Sequence, residues 1–226
     1  MLSLRAVAVR YRGREVFHGV SAELPAGHAL GVVGASGSGK TSLLRTIAGL
    51  IRPADGEIRV HGRLPQSSRA RAGLAYFAGE ASLPGSVRAS AWGRLSGGDA
   101  ATAERRRLRT LSRGARQLLG LRTVLGRVPV NLIVLDEPWE GLDPDGARWL
   151  SATLEAKRDK GAAVVVSSHR LHDLAGLCDA YLLLHRGRAL LLPAAAVCDD
   201  GAITAAQLAD TLERLRHGMS GPSRHS

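Results

Sequence analysis

The sequence predicts an α/β fold: a mostly parallel core sheet, a flanking antiparallel β-subdomain and a short helical subdomain. Three observations carry this prediction. Apolar runs at His28–Val33, Leu132–Leu135 and Ala162–Ser167 are nearly uninterrupted, as expected for strands covered on both faces. Segments of helical spacing separate them, which is the strand–helix alternation of a parallel core. From Pro84 to Arg127 the composition turns to Arg, Ala and Leu, the make-up of a helical insert.

Along the chain, Leu4, Ala6 and Ala8 alternate with Arg5, Val7 and Val9, and 4–10 pairs with 16–24 in the antiparallel sheet. Glu57–His61 and Leu74–Phe77 are further strands. His28–Val33 leads into a glycine-rich loop, and the segment after it, Ser42–Leu50, has apolar positions at helical spacing. Asn131–Asp136 is a strand, Pro144–Lys160 a helix, Ala162–Ser167 a strand, Leu171–Leu177 a helix and Ala180–His185 a strand. A last helix is expected at Ala205–Arg216, followed by a disordered Gly218–Ser226 tail rich in Ser and Gly. Residues 1–192 thus form the main domain, with the insert at about 84–127, and 193–226 form a C-terminal extension.

Composition bounds the function. The chain has 226 residues, enough for a proper core, and with only 4% aromatic residues that core is filled by Ala, Val and Leu. No apolar run approaches the roughly 18–20 residues of a membrane span, and the N-terminus lacks a signal-peptide h-region. The expected location is cytoplasmic. Cys178 and Cys198 match no metal-ligand spacing and are read as packing residues. The net charge of +11 is almost all arginine, since the lysines are Lys40, Lys157 and Lys160 alone. Apart from Arg105–Arg107 and Arg109 the basic residues are scattered, with no interleaved aromatics, so no nucleic-acid platform is expected.

The chemistry begins at Gly34, Ala35, Ser36, Gly37, Ser38, Gly39, Lys40 and Thr41, which fit G-x-x-x-x-G-K-[ST]. Such a loop curls so that successive N–H groups face phosphate oxygens, aided by the N-terminus of the helix that Ser42 enters. Lys40 adds a cation for the β- and γ-phosphates, and the Thr41 hydroxyl suits Mg²⁺. Downstream, Asp136 closes the run Leu132–Leu135 at a buried strand end, a position suited to holding Mg²⁺ through its water shell. Glu137, next in line, is placed to polarise a water for attack on a γ-phosphate. Gly141-Leu142-Asp143-Pro144 follows. His169, after Ser167 and Ser168 at another strand end, is placed to reach the γ-phosphate and hold the attacking water.

Together these motifs resemble the ATP-binding subunit of an ABC transporter, over roughly residues 2–192. The resemblance implies a P-loop NTPase fold of the ABC type, ATP hydrolysis and Mg²⁺. Tyr11 would stack on adenine, Gly34–Thr41 would be Walker A, Leu132–Asp136 Walker B and Glu137 the catalytic glutamate. Trp139–Asp143 would be the D-loop and His169 the switch histidine. It implies a homodimer in the ATP-bound state and a separate transmembrane permease subunit, with the chain peripheral on the inner face of the membrane. The run Glu137–Gly146 is most similar to exporter subunits.

The chain departs from the family in two places. Its signature binds the γ-phosphate held by the opposite subunit. Leu95-Ser96-Gly97-Gly98-Asp99 matches that string better, but Leu111-Ser112-Arg113-Gly114-Ala115 stands at the family's spacing from Asp136. Ser112, Arg113 and Gly114 are therefore taken as the working signature, and 95–99 as a glycine-rich turn. Arg113 replaces a glycine there and brings a permanent cation to the partner's γ-phosphate. Second, where the family places a glutamine after 74–78, this chain has Gly79-Glu80; Glu80 is assigned as a Mg²⁺-water ligand one residue late. The segment after it is short, which implies a small, shallow docking surface for the permease.

Two other readings stay open at this level. One is a soluble ABC-type ATPase acting on nucleic acid, prompted by the charge. The other is a degenerate ATP-binding subunit paired with an active sister chain, prompted by Gly79 and Arg113. The transported substrate is not encoded here.

Overall fold

A computed structural model describes residues 1–95, 106–127, 129–197 and 204–219. Two sheets organise the chain. Strands β1 (Leu2–Tyr11), β2 (Arg14–Leu24) and β4 (Asp55–Val60) form an antiparallel sheet in the order β2-β1-β4. The larger sheet has six strands: β3 (Ala29–Val33), β5 (Leu74–Phe77), β6 (Leu132–Asp136), β7 (Ala163–Ser167), β8 (Ala180–His185) and β9 (Arg188–Pro193). Its order is β5-β6-β7-β3-β8-β9, parallel throughout except for the antiparallel edge strand β9. The predicted fold class is thus observed, mixed at one edge.

Every residue of β3, β6 and β7 is buried, which is why these strands read as continuous apolar runs. Successive side chains alternate between two cores. Leu30, Val32, Val134, Val165 and Leu182 face a core closed by the antiparallel sheet and by α1 (Lys40–Ile47), through Leu43, Leu44 and Ile47. Val33, Ile133, Leu135, Val164, Val166 and Leu183 face the opposite core. That side is closed by α4 (Arg113–Leu125), α5 (Pro144–Asp159), α6 (Leu171–Leu174) and α7 (Ala205–Met219). Leu208 and Leu212 of α7 are fully inside it, so the C-terminal helix is part of the packed body. A smaller cluster of Ala89, Leu108, Leu111 and Leu119 supports the insert, with Leu83, Val87 and Trp92 packed against it.

Several expectations are adjusted. The helix expected over Leu171–Leu177 stops at Leu174, because Ala175 turns to extended backbone and Gly176 takes φ 78°. The short helix α2 (Ser68–Ala72) and edge strand β9 were not anticipated. In the insert the described helices are α3 (Ala89–Leu95) and α4, joined to a 3₁₀ turn at Leu108–Thr110. Cys178 is buried as a packing residue, and that burial pushes its thiol up. Leu95, the first residue of the expected 95–99 turn, ends α3, and Gly218, where the disordered tail was expected to begin, lies inside α7; residues 96–99, Arg105, Cys198 and 220–226 lie outside the described residues.

The strand order decides where a site forms. β7 lies between β6 and β3, so Ser167 is register-paired with Asp136 on one side and Val32 on the other. Three carboxyl ends of parallel strands therefore meet at one point, the usual place for a ligand on an open α/β sheet. Leu182, 1% exposed at the centre of β8, tests the core beneath it. Leu182→Ala should lower the unfolding free energy by about 2–5 kcal/mol, read from urea denaturation at constant m-value. A loss well below that range would mean this core collapses around the missing side chain.

Candidate functional site

The loop after β3 turns on a bond from Ser38 N–H to the Ala35 carbonyl, 3.1 Å. Gly39 then takes φ 104°, where a Cβ would be strained and would also meet Val16 Cγ1 at 2.8 Å. The loop can lie this close to β2 because residue 39 has no side chain. Gly39 caps α1 without a side-chain acceptor. The first N–H groups of the helix therefore open onto a cleft of about 600 Å³ lined by 36–42, Val16, Asp136, Glu137, Glu140 and His169. Aligned N–H groups at a helix start, with Lys40 beside them, are a built anion site.

Lys40 reaches back over the loop, donating to the carbonyls of Gly34 at 2.9 Å and Ala35 at 3.4 Å. Its Nζ is also 3.5 Å from Glu137 Oε1. Thr41 Oγ1 donates to Asp136 Oδ2 at 2.7 Å, and Ser167 Oγ donates to Asp136 Oδ1 at 2.6 Å. Asp136 is only 8% exposed, and its partners here are two neutral hydroxyls rather than a cation. A buried carboxylate satisfied in this way leaves its charge uncompensated, which suits a divalent ion beside the Thr41 and Asp136 oxygens. Among the described residues no three His, Cys, Asp or Glu side chains converge, so such an ion would draw its other ligands from phosphate and water.

Glu137 takes φ 46°, left-handed for a residue with a long side chain. Its N–H donates to Ser167 Oγ at 3.0 Å. Its Oε2 accepts from the His169 N–H at 3.0 Å and lies 2.8 Å from His169 Nδ1. A carboxylate only accepts, so Nδ1 carries the proton in that pair. Ser167 therefore bridges Asp136 and Glu137 in addition to ending β7. Burial also raises the carboxyl of Asp173, behind His169, against the opposing effect of Arg170.

The remaining predicted residues lie elsewhere. Tyr11 is 43% exposed and lines an adjoining recess of about 710 Å³ with Arg14, Ala35–Ser38 and Arg186. Asp143 caps α5 by accepting from Gly146 N–H at 2.7 Å, and Ser112 caps α4 by accepting from Ala115 N–H at 3.2 Å. Ser112, Arg113 and Gly114 do not line the cleft. Glu80 lies beside the cleft, in a recess of about 190 Å³ that it shares with Arg113, Gln117, Asp136, Glu137 and Glu140. Its oxygens are taken by Arg116 at 2.9 Å and Arg113 at 3.5 Å. Arg113 in turn pairs with Glu140 of the same chain at 2.6 Å.

Three contributors escaped the sequence reading: Ser167 as a bridge, Glu140 as the partner of Arg113, and Gln117. Gln117 is 2% exposed and donates through Nε2 to the carbonyls of Pro138 at 2.9 Å and Glu137 at 3.3 Å. Trp139, also buried, donates to Ser151 Oγ at 3.2 Å and anchors the 137–143 turn on α5. A hydrophilic residue one turn into a helix with a buried apolar face was the available signal for Gln117.

Residues 17–140 match the family profile described as ABC transporter. The hemin import ATP-binding protein of Pseudomonas aeruginosa is 34% identical over 227 residues, covering 85% of this chain and 86% of that protein. The lipopolysaccharide export system ATP-binding protein of Acidithiobacillus ferridurans is 27% identical over 222 residues, covering 84% and 88%. A solved structure titled as an ATP-binding subunit of an ABC transporter superposes with a TM-score of 0.80 over 94% of this chain and 99% of that one. At 22% identity that likeness speaks for the fold alone.

Ser167→Ala removes one of the two donors to Asp136 and the acceptor of Glu137 N–H. Unfolding free energy should fall by about 1–3 kcal/mol, since a buried carboxylate and an amide each lose a partner. Stability unchanged in urea denaturation would mean that the hydroxyl is not the bridge.

Proposed function

Because this chain belongs to the ABC transporter family as an ATP-binding subunit with ATPase activity, we propose that its cleft hydrolyses Mg²⁺-ATP to drive export through a separate membrane subunit. The observation that carries the reading is the convergence of Lys40, Thr41, Asp136, Glu137 and His169 on one cleft beneath the open start of α1.

The triphosphate lies along 34–42, taking the N–H groups of the loop and of the first turn of α1. Lys40, held on two main-chain carbonyls, transfers its donors to the β- and γ-phosphates, a stronger charge-assisted partner. Thr41 and Asp136 would hold Mg²⁺, which supplies charge neutralisation of the phosphates. Glu137 accepts a hydrogen bond from the attacking water and aims it, while His169 fixes the Glu137 carboxylate through its N–H and Nδ1. Tyr11, in the recess next to Ser36–Ser38, supplies the ring for the adenine. Glu80 anchors Arg113 and Arg116 in the recess it shares with Asp136 and Glu137, within reach of the water shell of Mg²⁺.

Ser112, Arg113 and Gly114 stand outside the cleft of their own chain, which supports their service to the ATP of a second copy in a head-to-tail homodimer. The turn 139–143, with Asp143 at its end, lies beside them. The Arg113–Glu140 pair is then exchanged for the partner's γ-phosphate on closure. No described helix is long and apolar enough to cross a membrane, which fits a subunit on the cytoplasmic face that contacts the bilayer through its permease. Residues 79–94 are assigned as the docking surface. We take 1–192 as the ATPase unit and 193–226 as its extension. Export is assigned on the likeness of 137–146 to exporter subunits; the named relatives include both an importer and an exporter component.

Glu137→Gln should lower the ATP hydrolysis rate by roughly 10²–10⁴-fold, the loss expected of a general base, while ATP binding persists. In that background ATP should produce a dimer on size-exclusion chromatography, and adding Arg113→Ala should raise the ATP concentration needed. Hydrolysis surviving Glu137→Gln would sink the assignment of the base. Dimerisation indifferent to Arg113→Ala would sink its role in the sandwich.

Direction is read with the membrane subunit that co-purifies with this chain. In inverted vesicles carrying both, external ATP should accumulate the substrate inside. Release of preloaded substrate instead would reverse the assignment.

A further inference from the structure

Glu137 is held in a backbone conformation that a glutamate does not choose for itself. At φ 46° it turns the chain sharply as β6 ends, and this turn, rather than a rotamer alone, aims its carboxylate at His169. Its N–H is fixed by Ser167 Oγ. Its carbonyl, which also accepts from the Glu140 N–H at 3.1 Å, and the next one along both accept from one side chain: Gln117 Nε2 lies 3.3 Å from Glu137 O and 2.9 Å from Pro138 O. Two carbonyls can only accept, so the amide NH₂ must face them, and its two protons match the two acceptors. Gln117 is one of the few buried polar side chains described and comes from a helix distant in sequence.

The helix can lie this close because residue 114 is glycine. A Cβ there would sit 2.4 Å from the Gly141 carbonyl. Gly114 and Gln117 are one helical turn apart on the same face of α4, so close approach and hydrogen bonding act on one turn, 137–141.

We propose that Gln117 is a positioning residue for hydrolysis: it clamps the two carbonyls of the 137–138 turn, and so sets the left-handed backbone that presents the Glu137 carboxylate. Because α4 begins at the Ser112–Gly114 end, the same amide makes that end and Glu137 move as one body. This rests on the reading of Glu137 as the group that aims water. It adds a residue that acts through the Glu137 backbone.

The test is a pair of substitutions measured in the full chain, with active sites counted by a fluorescent ATP analogue. Gln117→Leu removes the donor. Gln117→Glu keeps the shape but, when ionised, sets oxygens against two carbonyls. Each should lower kcat by roughly 10- to 100-fold, the cost of a small displacement of a catalytic group, with the analogue's Kd within about twofold of the parent. For Gln117→Glu, the rate relative to the parent should climb as pH falls, because a protonated carboxyl again donates. A burial-raised pKa brings that recovery towards the assay range. In a Glu137→Gln background, Gln117→Leu should leave the residual single-turnover rate unchanged, since there is no carboxylate left to aim.

A kcat unaffected by either substitution would overturn the proposal, as would rate and nucleotide affinity falling together or an equal loss in the Glu137→Gln background. If Glu137→Gln itself leaves hydrolysis intact, the underlying reading fails instead, and that outcome is separable from the others.

Discussion

The site is assembled around one buried carboxylate. Asp136 ends the fully buried strand β6 with both oxygens occupied, one by Thr41 from the phosphate loop and one by Ser167 from β7. These bonds join three segments far apart in sequence, and they form because β7 runs between β6 and β3 in the sheet. Neither hydroxyl carries a charge, so the carboxylate is desolvated without a counter-ion. Burying such a group costs stability in the free chain and makes a cation at that point more favourable. The core supplies what the site withholds: fully buried strands on either side keep the three chain ends from spreading.

A second constraint follows from the first. Once Asp136 is fixed, the chain leaves the sheet within one residue, and a left-handed turn at Glu137 brings its side chain to the cleft. Such a turn is costly for glutamate and persists only when its surroundings over-determine it. Here Ser167 holds the amide, Gln117 the carbonyl, His169 the carboxylate, and the buried Trp139 ring pins the residues that follow. The strain is thereby shared among contacts from β7, α4 and α5.

Much of this was legible in the sequence because it is local. The phosphate loop announces itself by glycine spacing between an apolar run and a helical one, and Asp136-Glu137 by its place at the end of four apolar residues. What stayed hidden is what depends on partners. Glu80 shares a recess with Asp136 and Glu137, but its pairing with Arg113 and Arg116 depends on α4 being folded against it and is invisible in the sequence. Strand β9 was missed because Arg188–Pro193 ends in proline and owes its place to partners: its pairing with β8 and the packing of Ala189, Leu190 and Leu192 against the two cores. Gln117 looked like an ordinary residue of an Arg- and Leu-rich helix. Its importance lies in two carbonyls about twenty residues away in sequence, which no periodicity reveals.

The two ends of the first turn of α4 differ in a way that bears on how a composite site can work. Arg113 is more than half exposed, and its pair with Glu140 is a solvated contact of the kind that contributes little net stability. It is easily exchanged, and a triphosphate offers a denser negative partner than that carboxylate. Gln117 is buried, and breaking its bonds would strand the Pro138 carbonyl and leave Glu137 O with the Glu140 N–H alone. An anion that draws Arg113 away from Glu140 therefore displaces a rim contact while the helix stays fastened to the Glu137 turn. Movement imposed on the Ser112–Gly114 end must then pass to the carboxylate at the chain's own cleft, because the loose contact is at the rim and the firm one is at the base.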